Sequence, residues 1–153
     1  RKPFVFGVSY ALLDLAETGV QLSQGLVLET GGMKGRRAEL TKGELHTKLC
    51  SGFGLQQIYS EYGMTELLSQ AYSISEQTFA CPPWMQIRIR DAYDPFTEVP
   101  FGQKGGINVI DLANQNSCAF IQTDDLGRLS PEGFSLEGRL MASDVRGCNQ
   151  LVD

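Results

Sequence analysis

The stretch Ile58-Tyr59-Ser60-Glu61-Tyr62-Gly63-Met64-Thr65-Glu66 runs from a strand-like segment through a glycine turn into a hydroxyl and a carboxylate. Tyr62 offers a flat face to a planar base. Gly63 lets backbone approach a ligand closely. The Thr65 hydroxyl can hydrogen-bond a phosphate or carboxylate oxygen, and Glu66 can hold a hard cation such as Mg²⁺ through oxygen. Together these are the parts of a nucleotide–metal site; taken alone, they make a β-turn with a polar rim.

Other groups extend the list. Gly31-Gly32 follows a strand-like run, where backbone N–H groups can meet a base or phosphate. Its spacing fits neither a phosphate loop nor a dinucleotide fingerprint, and alone it marks a tight turn. Asp124-Asp125, just before Gly127, can offer a carboxylate to two ribose hydroxyls, or form an acidic turn. Arg139 after Gly138 reads as a strand-end anion contact or a solvated arginine. Cys148, beside Gly147 and close to Arg146 near the C-terminus, is the candidate reactive thiolate. The remaining cysteines, Cys50, Cys81 and Cys118, are widely spaced with no Cys-x-x-Cys pair, which argues against zinc. Four cysteines in 153 residues do not make a disulfide scaffold, so a reducing cytoplasm is expected. The single histidine, His46, leaves no partner for a His-based metal site and is expected on a helix surface.

The elements that must position these groups change character along the chain. Phe4-Val5-Phe6-Gly7-Val8 predicts a short buried strand, and Leu12, Leu15, Ala16 and Gly19 then recur at helical spacing. Leu26-Val27-Leu28 predicts a second strand, ending in the loop Glu29-Thr30-Gly31-Gly32-Met33-Lys34-Gly35. Thr41 and Glu44 form a capping-box signature for a helix with Leu45 and Leu49 on one face, stopping near Gly52 or Gly54. Strand, helix, strand, helix, strand predicts an α/β layer over 1–80. Cys81-Pro82-Pro83 then breaks the chain, and 81–153 reads as a small antiparallel sheet or barrel with a C-terminal tail. Met85, Ile87 and Ile89 alternate with Gln86, Arg88 and Arg90, a strand with one wet face. Gly105-Gly106 precedes a strand at Ile107–Ile110; Cys118–Gln122 makes another, ending in Thr123-Asp124-Asp125-Leu126-Gly127, and Phe134, Leu136 and Leu140 alternate in the last.

Composition narrows the classes. At 42% hydrophobic and 20% charged the chain is ordinary globular protein. A net charge of -5 argues against a nucleic-acid backbone as partner. No apolar run approaches a membrane span and no signal-peptide layout opens the chain. It begins on Arg1 shortly before a strand and is read as a piece of a longer protein.

The order of the motifs is more specific than any one of them. A strand with Gly31-Gly32, a capped helix, Tyr62-Gly63-Met64-Thr65-Glu66, then Thr123-Asp124-Asp125-Leu126-Gly127 and Gly138-Arg139 resembles the adenylate-forming superfamily. The closing Asp144-Val145-Arg146-Gly147-Cys148 resembles its acyl-protein synthetases, the fatty-acid–protein ligases. The likeness covers nearly the whole chain, as the C-terminal portion of such an enzyme. It implies ATP and Mg²⁺ as cofactors and a fatty acid or other carboxylic acid as substrate. Gly31, Gly32 and Tyr62 would line the adenine pocket, with Gly63 in the turn beside it. Thr65 would contact the α-phosphate or the acyl carboxylate, and Glu66 would bind Mg²⁺. Asp125 would hold the ribose, with Arg139 nearby, and Cys148 would accept the acyl group. Implied partners are the N-terminal half of the same protein and an acyl-accepting reductase or carrier. A second copy, as a homodimer, is expected on separate grounds: a cut through a larger domain exposes surface that was buried, which invites dimerisation or strand exchange. Asp124 stands where the superfamily usually has glycine, which leaves open which aspartate faces the ribose. The upstream phosphate loop is absent, so this portion alone is expected not to form acyl-adenylate. The lid domain with its lysine is also absent, which fits the acyl-protein synthetases, short at this end. Two rival readings are an acyl- or aryl-CoA ligase and a non-catalytic interaction module on the same scaffold.

Overall fold

The computed structural model describes residues 1–33, 35–38, 40–73 and 78–140. The chain packs as two compact units, Arg1–Tyr62 and Gly63–Asp153.

The first unit is the α/β layer. Strands β1 (Phe4–Val8), β2 (Leu26–Thr30) and β3 (Tyr59–Tyr62) alternate with helices α1 (Ser9–Glu17) and α2 (Lys42–Phe53). The strands pair in parallel, β1 with β2 and β2 with β3, as crossover helices require. Thr41 and Glu44 cap α2 reciprocally. The helix ends at Gly54, whose φ of 68° is the left-handed conformation that glycine adopts without Cβ strain. Leu12, Leu13 and Ala16 of α1 and Leu45, Leu49 and Phe53 of α2 bury against Val27 and Ile58. Two expectations are corrected. Leu13 rather than Leu15 faces the core; Leu15 is exposed. β1 is also not a buried strand: Phe4 and Phe6 are 64% and 53% exposed. Alternation sends Val5 toward the helices and its neighbours to the opposite face of the sheet.

The second unit is antiparallel. Its strands are β4 (Ala71–Ser73), β5 (Thr78–Ala80), β6 (Met85–Arg90), β7 (Lys104–Asp111), β8 (Phe120–Ser130) and β9 (Gly133–Arg139), with a short 3-10 turn at Leu112–Asn114. They lie in the order β4-β5-β9-β8-β7-β6, a sheet rather than a closed barrel. The division between units comes earlier than residue 80, because β4 and β5 join this sheet through β9. β8 does not end at Gln122. It continues through Thr123–Gly127 to Ser130, with a register shift at Leu126/Gly127, so Asp124-Asp125 is strand, not turn. Arg90 is not on a wet face either; it is 3% exposed. Its guanidinium donates to the carbonyls of Ile107 (3.2 Å) and Thr123 (2.9 Å) and to Asn108 Oδ1 (3.1 Å). These three acceptors replace the water that the charge gives up.

Candidate functional site

In the first unit the candidate residues sit at the C-terminal ends of parallel strands, where ligands of open α/β sheets bind. Gly31 follows β2 with φ 70°, a left-handed turn. Gly32 is exposed, and a Cβ there would meet nothing within 4 Å, so its backbone is approachable from outside. Tyr62 ends β3 and is 5% exposed. The ends of the two strands are tied together: the Thr30 hydroxyl donates to Glu61 Oε1 at 3.0 Å.

Beneath that rim lies a cluster the sequence reading missed. Glu29 of β2 is fully buried. Its carboxylate accepts from Ser9 Oγ (2.7 Å) and from the Ser60 hydroxyl, and pairs with the Lys42 ammonium. His46 Nε2 lies 2.9 Å from Ser60 Oγ and 3.6 Å from Glu29 Oε1. Burial alone would push the Glu29 pKa up. His46, Lys42 and Ser60 together outweigh burial and hold it down at about 2. His46 is therefore not the surface residue expected; it is 8% exposed. One signal was present: alternation along Leu26-Val27-Leu28-Glu29 puts Glu29 on the same face as buried Val27.

In the second unit Thr65 and Glu66 lie exposed on a turn, and Gly63 is exposed before them. Asp125 and Arg139 oppose each other in the β8–β9 ladder. Arg139 Nε donates to Asp125 Oδ1 at 3.0 Å, with the aspartate side chain 9% and the arginine 61% exposed. Gly138, with φ 120°, gives the backbone the bend just before Arg139. Asp124 is exposed, on the other face of the strand from Asp125, and its carbonyl accepts from Leu140 N at 2.8 Å. The structure thus brings Asp125 and Arg139 together and separates Asp124 from them. Cys148 and Arg146 lie outside the described residues. Of the other cysteines, burial pushes the Cys81 thiol up to about 11, which makes it a poor nucleophile near neutral pH.

Among the described residues no cluster of three or more His, Cys, Asp or Glu could hold a metal ion. Glu66 by itself still suits Mg²⁺, which takes one or two carboxylates and completes its shell with water and phosphate oxygens. A cavity of about 270 Å³ in the second unit is lined by Gln86, Arg88, Ile89, Val99, Phe101 and Leu129 among others, and includes none of the candidate residues. No helix among the described residues is long and apolar enough to cross a membrane.

No family model matches the chain. A long-chain-fatty-acid–luciferin-component ligase of Vibrio harveyi is 28% identical over 137 residues, covering 80% of this chain and 35% of that protein. Among solved structures, ATP-bound MatB from Rhodopseudomonas palustris superposes with a TM-score of 0.64 at 18% identity, over 90% of this chain and 31% of that one. A benzoate CoA ligase from Burkholderia xenovorans LB400 gives 0.56 at 18% identity, over 89% and 31%. The chain spans about a third of the length of each. The resemblance to the acyl-protein synthetases of the adenylate-forming superfamily therefore stands: the chain has the α/β and β-rich fold of a portion of those ligases, and it is related in sequence to the Vibrio harveyi fatty-acid ligase.

Proposed function

We propose that this chain is the C-terminal portion of an acyl-protein synthetase that activates a fatty acid with ATP and passes the acyl group to a cysteine. The observation that carries the reading is sequence similarity to a long-chain fatty-acid ligase together with the adenylate-forming fold. In the first step a carboxylate oxygen attacks the α-phosphorus and pyrophosphate leaves. In the second the thiolate sulfur attacks the acyl carbonyl and AMP leaves. Adenylation makes a good leaving group, and a thiolate is a strong nucleophile near neutral pH.

The chain's own residues divide the work. Gly31 and Gly32 leave room for the base to approach the strand end, against Tyr62. Asp125, oriented by Arg139, accepts from the ribose hydroxyls. Thr65 donates to the α-phosphate or the acyl carboxylate. Glu66 would hold Mg²⁺, which when bound neutralises phosphate charge. Cys148 accepts the acyl group, with Arg146 favouring its thiolate. Cytoplasmic placement and an acyl-accepting reductase or carrier as partner complete the reading.

The test uses the full-length protein with ATP, Mg²⁺ and radioactive fatty acids. Acid-dependent pyrophosphate release and a hydroxylamine-sensitive protein label are expected. Cys148→Ser is expected to keep the release and lose the label. A serine variant that labels like the parent, or a label mapping to Cys50, Cys81 or Cys118, overturns the cysteine assignment. Transfer to free CoA without protein labelling makes the protein a CoA ligase instead. No release with any acid would leave an interaction module.

A further inference from the structure

The turn bearing Thr65 and Glu66 has one bond of its own in Leu67 N to Met64 O, at 3.1 Å. Its far side is held by the end of β7. Asp111, fully buried, accepts at Oδ2 from the Leu68 and Ser69 N–H groups, at 3.0 and 2.9 Å. Its Oδ1 accepts from Ser69 Oγ at 2.6 Å and from Ala113 N at 3.1 Å. Trp84 Nε1 donates to the same Ser69 oxygen at 2.9 Å. Asn114, 4% exposed, donates from Nδ2 to the Glu66 carbonyl at 2.7 Å and to the Cys118 carbonyl at 3.0 Å.

Capping the 3-10 turn explains the Asp111 bond to Ala113 and no other. The remaining donors belong to the segment leaving the Thr65-Glu66 turn. A carboxylate suits this place because both its oxygens accept, whereas an asparagine would turn its NH₂ toward one of the donor pairs. Asn114 suits the next place for the complementary reason: its NH₂ meets two carbonyls, and one of them is the peptide of Glu66 itself.

We infer that Asn114 and Asp111 are positioning residues for Glu66: the corner between β7 and the 3-10 turn fixes the Glu66 peptide and the exit of its turn, and so sets how tightly the Glu66 carboxylate holds a divalent cation. The inference rests on reading Glu66 as the metal-binding residue. An exposed glutamate on an unanchored turn must be ordered when the ion arrives, at a cost in affinity. On an anchored turn the order is already present. Groups that orient a metal ligand without touching the metal change metal affinity about 10–100-fold when removed.

The experiment is a Mn²⁺ titration, read by electron paramagnetic resonance, of the full-length protein holding a non-hydrolysable ATP analogue. Analogue binding without metal and the thermal midpoint are measured in parallel. Asn114→Ala is expected to weaken Mn²⁺ binding about tenfold, with metal-free analogue binding unchanged. Ser69→Ala removes the hydroxyl between Asp111 and Trp84 while keeping both backbone bonds; it is expected to give a smaller shift in the same direction, and it carries the test if Asn114→Ala does not fold. A lower thermal midpoint with unchanged Mn²⁺ affinity in the folded variants overturns the inference. Glu66→Gln separates the two readings. If it weakens Mn²⁺ binding and the positioning variants do not, only the inference falls. If it has no effect, the reading of Glu66 falls and takes the inference with it.

Discussion

Glu29 carries a negative charge to a place water does not reach, and it stays ionised because its surroundings outweigh burial. Its pKa lies at about 2, below the ordinary value of 4.5. A group depressed in this way stabilises the fold fully above its ordinary pKa, and the stabilisation is lost as pH falls through the folded value. The gap corresponds to ~3 kcal/mol between roughly pH 4.5 and 2. In the full-length protein Glu29→Gln is therefore expected to flatten this part of the stability profile, measured as urea midpoints across that range. Equal slopes for parent and variant would show that Glu29 is not the responsible group. Little of this cluster was legible beforehand. Ser9, the pair Lys42 and His46, and Ser60 come from three separate segments of the chain. Although the i,i+4 spacing puts Lys42 and His46 on one face of α2, no local pattern announces that all of them share one carboxylate. Tyr62, Thr65 and Glu66 stand out as candidates because they fall within one short stretch, and Asp125 and Arg139 because Gly127 and Gly138 lie close to them in the chain.

At the scale of elements, the parallel layer followed from its periodicity and the antiparallel sheet only in part. β4 and β5 are three residues each, too short for alternation to register, and they become strands by pairing with each other and with β9. β7 was expected to begin after Gly105-Gly106, since glycine usually weakens a strand. Here the glycines are what the pairing needs. A Cβ at Gly105 would lie 2.1 Å from the Arg90 carbonyl oxygen, and one at Gly106 would lie 2.3 Å from the Arg90 guanidinium. The buried arginine and the two glycines are one arrangement, and that is why Arg90 could not be read as inward-facing from β6 alone. Because the Gly105 contact is with backbone, no rotamer change relieves it. Gly105→Ala is expected to destabilise the protein by about 1–3 kcal/mol, read as a fall in the thermal midpoint with the β6–β7 amides losing hydrogen-exchange protection. A shift too small to resolve in the midpoint would mean that the two strands separate at little cost.

For the molecule as a whole, the order of motifs carried the fold, whereas surface exposure did not follow from any of them. Parallel sheets are normally covered on both faces. In the first unit α1 and α2 cover one face, and on the other Phe4, Phe6 and Leu26 are 64%, 53% and 42% exposed. Phe4 pairs with Leu26 and Phe6 with Leu28 across the strands, so these side chains form a continuous apolar strip. β1 is also the end of the strand order, and an edge strand offers unpaired backbone to another chain. A net charge of -5 opposes self-association, but at physiological ionic strength charges are screened beyond about 8 Å. Burying one fully exposed phenylalanine contributes roughly 1.5–3 kcal/mol, and the two that each copy brings in β1, both more than half exposed, favour association against the screened charge. The isolated chain is accordingly expected to self-associate through this strip. Analytical ultracentrifugation of the isolated chain should show a dimer or larger species, and Phe4→Ser combined with Phe6→Ser should move it toward monomer. A monomeric parent chain, or a double variant that associates as before, would mean that this face does not drive association.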